Sequence, residues 1–131
     1  MSDIYTFERF ISNTLLGEWE EPLSDELQTQ WKTIFGDHPA DAPAQGAGLA
    51  VACMMRAYLG VVTPRPPGNI HARQVLILDN LPQANETIRS QVWCVDKEIR
   101  KERNYLTIAV IASGEGDRSL YTGKLSLIWA R

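Results

Sequence analysis

The stretch Gly46-Ala-Gly-Leu-Ala-Val-Ala-Cys-Met-Met-Arg-Ala-Tyr-Leu59 decides the fold. Arg56 is its one charged residue. A helix that is apolar nearly all round is buried on nearly all sides. In a chain of 131 residues the cover that suits it best is a wrapping sheet.

The residues downstream supply such a sheet. Val61-Val-Thr-Pro-Arg-Pro-Pro-Gly68 is a stiff connector restricted by its prolines. Four strand-like segments come after it, Asn69–Leu78, Thr87–Arg100, Asn104–Ser113 and Leu120–Ala130, separated by breaker-rich turns. The segment around Tyr105-Leu-Thr-Ile-Ala-Val-Ile-Ala-Ser113 is apolar on both faces, which predicts a central position. In Thr87–Arg100, Ile88, Ser90, Val92 and Cys94 fall on one side, and Arg89, Gln91 and Trp93 on the other. The short turns favour an antiparallel meander. The expected class is therefore α+β, a long central helix wrapped by a curved antiparallel sheet.

Upstream, Ile4, Phe7, Ile11 and Leu15 predict a short amphipathic helix or a packed lead-in over residues 1–17. Gly17 and Pro22 punctuate the next segment. Ser24 is a good N-cap for a helix carrying Leu27, Trp31, Ile34 and Phe35, ending near Gly36. Asp37-His-Pro-Ala-Asp-Ala-Pro-Ala-Gln45 reads as a loop. No repeat or linker divides the chain, so residues 1–131 are expected to form one domain.

Composition narrows the function classes. Hydrophobic residues are 44% and charged residues 22%, ordinary for a globular domain. The net charge is -3, so the basic surface of a general nucleic-acid binder is not expected. No apolar run reaches about 18 residues, so no membrane span and no membrane partner are expected. The N-terminus lacks a signal core, which predicts a cytoplasmic protein. Cys53 and Cys94 sit in apolar runs and are expected to be reduced and buried. No metal constellation, phosphate-binding glycine loop or serine elbow is present, and no cofactor is expected.

Three stretches carry a family likeness: Phe35-Gly36-Asp37 before a Pro/Ala-rich loop, Gly46-Ala47-Gly48-Leu49-Ala50, and Pro67-Gly68-Asn69-Ile70-His71-Ala72-Arg73-Gln74. In this order they resemble the hotdog fold, and within it the MaoC-like dehydratase branch that includes the (R)-specific enoyl-CoA hydratases. The likeness covers most of residues 18–131. The family's Gly-Asp-x-Asn-Pro-(Ile/Leu)-His is incomplete here: His38-Pro39 directly follows Asp37, and Ala42 stands where the catalytic His would be. Ala84-Asn85-Glu86 stands where the family often has Gly-Asp.

The resemblance implies addition of water to an enoyl thioester, or its removal. That chemistry needs a base for water, an acid for the alpha carbon and donors for the thioester oxygen. Asp37 is the expected base, or else a turn former. His38 and His71 are candidates for the missing role, each also readable as a structural hydrogen-bonder. Asp41 would activate water in a hotdog thioesterase, or simply be solvated. Backbone N–H groups of Gly46, Ala47 and Gly48 at the helix start are candidate oxyanion donors, or merely permit tight packing. Arg65, Arg73, Arg100, Lys101 and Arg103 are the expected partners of a coenzyme A tail, although Arg100-Lys-Glu-Arg103 reads equally as a solvated turn. Met54 and Met55 either flex around an acyl chain or fill the core.

The expected function is thus a hydratase or dehydratase acting on acyl thioesters of coenzyme A or acyl carrier protein. A hotdog thioesterase and a non-catalytic acyl-binding or structural subunit are the alternatives. Relatives of this kind usually work as dimers, so a homodimer or higher oligomer is expected.

Overall fold

The computed structural model describes residues 4–22, 42–83 and 85–131. A 3-10 turn at Phe7–Arg9 leads into β1 (Thr14–Pro22), α1 (Ala42–Val61), β2 (Ile70–Leu78), β3 (Thr87–Arg100), β4 (Arg103–Ser113) and β5 (Ser119–Trp129). A second 3-10 turn, Glu115–Asp117, joins β4 to β5. The five strands form one antiparallel sheet in the order β1-β3-β4-β5-β2. The helix lies across its inner face.

Periodicity builds this arrangement. Among the described side chains, the buried residues of α1 are Ala50, Cys53, Met54, Ala57 and Tyr58, spaced three and four apart on one face. They meet the inward residues of the strands, among them Ile88, Val92, Ile108, Val110 and Leu125. Met54 is fully buried against Gly123, where any Cβ would collide with the methionine. It is therefore core, whereas Met55 is only partly buried. The expectation of burial on nearly all sides holds for that face alone: Leu59 is 40% exposed. β4 is the middle strand, as its two apolar faces predict.

The lead-in closes one end of the helix–sheet interface. Phe10 packs edge-on against Trp129, with ring centroids 5.1 Å apart. The Trp129 indole N–H donates to the Tyr5 carbonyl at 2.6 Å, and the Phe7 N–H to the Arg131 carbonyl at 2.6 Å.

Three features differ from the sequence reading. β2 does not pair with β3 as a meander would have it: it crosses to the far edge and pairs with β5, the strand whose inner face extends the cover over the helix. Residues 14–22 form a strand, where punctuation by Gly17 and Pro22 suggested a break. A bulge at Leu16 interrupts the alternation, and Pro22 ends an edge strand, where a missing N–H costs little. The helix begins at Ala42, not Gly46, because Pro43 falls in the first turn, where proline is tolerated. The helix predicted after Ser24 lies outside the described residues.

Candidate functional site

The second half of α1, the proline-rich connector and the start of β2 enclose a groove of about 320 Å³. Met55, Tyr58, Leu59 and Leu127 give it an apolar lining; Arg65, Asn69 and His71 supply polar groups. It thus joins two residues singled out in the sequence for different roles, His71 and Arg65.

Each polar group is set by its element. The Arg65 guanidinium donates to the carbonyls of Leu59 at 2.9 Å and Val62 at 2.7 Å, capping the carbonyl end of the helix. It also faces the Tyr58 ring, 6.0 Å from the centroid. Burial pushes the Tyr58 phenol up to about 12, with Arg65 pulling the other way, so it stays a neutral donor. The Asn69 carboxamide oxygen accepts the Ala130 N–H at 2.8 Å, while its buried amide nitrogen has no partner among the described residues. His71 lies opposite Leu127 and Arg73 opposite Ser126, with Ala72 as the extra residue of a bulge between them. His71 therefore lies on the helix side of the sheet, exposed at its edge, and Arg73 on the outer side, whereas simple alternation would put both on one face.

The remaining candidates are spread out. With the helix starting at Ala42, the N–H groups of Gly46, Ala47 and Gly48 point to carbonyls four residues earlier and are spent in the helical ladder. The free amides belong to the turn before them, in which Pro43 has no N–H. Leu59, beside His71, stands about 20 Å along the axis from Gly46 at 1.5 Å per residue. One chain therefore does not bring His71 to the helix start. Asp37, His38 and Asp41 lie outside the described residues. Arg100, Lys101 and Arg103 sit at the β3–β4 turn, Arg65 in the connector and Arg73 in β2.

A second polar cluster escaped the sequence reading. Glu21, at the end of β1, is 8% exposed and forms an ion pair with Arg56 of α1 through Nε–Oε1, with Nη2–Oε2 at 3.4 Å. Burial, reinforced by Glu21 and opposed by Arg56, raises the nearby Cys53 thiol to about 11, so it is no nucleophile at neutral pH. Burial and then Cys53 raise the Tyr121 phenol. Its hydroxyl faces Ser90 but makes no hydrogen bond of ordinary geometry. An Arg amid an apolar helix was the sequence signal for this cluster.

A third charged group is Glu86, 4% exposed. Its carboxylate accepts the N–H groups of Gln83 and Glu115, each at 2.9 Å, and pairs with Arg118 at 2.6 Å. Burial alone would raise its pKa; these donors outweigh burial and lower it. A larger outward cleft of about 450 Å³, with Glu20, Glu115 and Asp117 on its rim, is too acidic for an anionic coenzyme.

Neither a protein-family model nor a curated protein matches this chain. Solved structures do. A MaoC-like dehydratase from Rhodospirillum rubrum is 12% identical with a TM-score of 0.75, covering 97% of this chain and 98% of that one. The unliganded (R)-hydratase of Pseudomonas aeruginosa is 12% identical with a TM-score of 0.69, covering 96% and 86%. A hypothetical thioesterase from Streptococcus pneumoniae, as an Asp→Ala mutant, is 8% identical with a TM-score of 0.51, covering 99% and 98%. At these identities the likeness is one of fold. The chain has the hotdog fold, in the form seen in MaoC-like dehydratases and (R)-hydratases.

Proposed function

We propose that this chain acts on acyl thioesters as a MaoC-like hydratase or dehydratase. The observation that carries the reading is the end-to-end match in fold to a MaoC-like dehydratase. The local motif Gly36-Asp37 supports it.

In this reading Asp37 takes a proton from water, whose oxygen bonds to the β carbon of the enoyl thioester. An acid returns a proton to the alpha carbon. Amides in the first turn of α1 meet the thioester oxygen as charge develops on it. Coenzyme A or acyl carrier protein would hold the acyl group, and the apolar groove beside His71 suits a chain of methylenes.

β2 supports a homodimer. It is an edge strand of nine residues, with Ile70, Val75 and Ile77 exposed. A long apolar edge of this kind pairs with another strand unless it is blocked. Antiparallel pairing of β2 with its own copy would lay the His71 end of one strand beside the Leu78 end of the other. That would carry each groove toward the partner's helix start, giving His71 a role across the interface. A cytoplasmic location remains part of the proposal.

The test is turnover of crotonyl-CoA and longer enoyl-CoAs, followed at the enoyl thioester absorbance. Hydration that falls about 100-fold or more in Asp37→Ala is expected. An unchanged rate in that variant removes Asp37 from the mechanism. Thiol release without hydration selects the thioesterase reading, which the fold likeness to the streptococcal protein and the missing histidine favour.

A further inference from the structure

The β3–β4 turn breaks two rules of hairpin construction. Arg100 and Arg103 are the last pair of the ladder, directly opposite each other. Like charges in that position destabilise a hairpin. The two residues between them, Lys101 and Glu102, have φ of 51° and 65°, the left-handed region where Asn and Gly are preferred. Local choices that oppose stability are expected where function retains them.

The surroundings say what that function is. Ile99, beside the turn, is 68% exposed and Ile11 is 64% exposed, more than any other large hydrophobic side chain among the described residues. Both are at the same end of the molecule. Ile99 is opposite Asn104, which is opposite Trp129, against which Phe10 packs. The Arg100 guanidinium lies 4.4 Å from the Tyr105 ring centroid, and the Lys97 ammonium donates to the Phe7 carbonyl at 3.2 Å. Arg131 lies at this end, its carbonyl accepting the Phe7 N–H; among the described residues Glu8, Glu98 and Glu102 are acids of the same end.

We propose that this end of the protein docks on an anionic lipid surface. Arg100, Lys101 and Arg103 meet the phosphate headgroups, while Ile99 and Ile11 enter the interface. The charges select an anion. The exposed isoleucines select an apolar medium over a free phosphate. The sequence expectation of no membrane partner rested on the lack of a spanning segment, and a docking tip needs none.

The experiment is co-sedimentation of the full chain with phosphatidylcholine vesicles, with and without phosphatidylglycerol. Binding is expected only to the anionic vesicles, weakening as salt rises above about 0.1 M. Arg100→Glu with Lys101→Glu should lower partitioning roughly tenfold or more. Ile99→Ser should lower it roughly fivefold. Circular dichroism and melting of each variant keep misfolding separate. Absence of binding, or equal binding to neutral vesicles, overturns the proposal. So does binding that ignores Ile99→Ser and is competed by inorganic phosphate or polyglutamate, which would make the tip a site for a soluble anion or an acidic protein.

Discussion

At one end of the sheet the β4–β5 turn is tied to a nearly inaccessible carboxylate, Glu86, which accepts two backbone N–H groups and pairs with Arg118. At the other end the β3–β4 turn sets Arg100 opposite Arg103 and holds two ordinary residues in the left-handed region. The first turn satisfies every charge it buries. The second leaves like charges together in water, beside exposed isoleucine. A charged turn can therefore be structural or functional, and its partners distinguish the two.

Substitution of Glu86 should break the comparison most sharply. Glu86→Ala leaves Arg118 and two N–H groups without their acceptor, a loss of about 2–4 kcal/mol measurable by urea unfolding. The same carboxylate sets a pH dependence. Its pKa is lower in the folded state, so its contribution is complete above the unfolded value of about 4.3. That contribution is lost as pH falls through the folded value, and urea midpoints measured downward from pH 6 should drop less in Glu86→Gln than in the wild type.

Gly114→Ala comes next. Its new Cβ would collide with the Glu86 carboxylate, which its three donors hold in place. About 2 kcal/mol of destabilisation is expected by thermal or urea unfolding. At the opposite turn the sign reverses. Lys101→Asn with Glu102→Gly suits the backbone there and should stabilise by about 0.5–1 kcal/mol, measured by urea unfolding. A variant that loses stability would show that the turn was not under strain. The smallest effect is at the groove. His71 is exposed, so His71→Ala should change stability by no more than about 0.5 kcal/mol while lowering enoyl-CoA turnover. Unaltered turnover would leave the groove without that role.

Local pattern made much of the fold legible. β3 runs over Thr87–Arg100 as its alternation predicts, β2 and β4 differ from expectation by a residue at one end, and β5 by a residue at both. β1 was obscured because the Leu16 bulge shifts a period-two pattern by one residue. The bulge at Ala72 likewise separated His71 from Arg73. Pro43 hid the first turn of the helix by reading as a breaker, which moved the free amides away from Gly46, Ala47 and Gly48.

What the sequence determined by itself was the positions of β2 to β5 along the chain, the buried helix and the family likeness, because these rest on spacing between near neighbours; that β2 pairs with β5 and not with β3 it did not determine. Tertiary structure alone decided that Glu86 would meet Arg118, that Glu21 would meet Arg56, and that His71 would share a groove with Arg65 and Leu59. Such encounters depend on register across strands and on the seat of the helix, set by the whole packed core and not by any one segment.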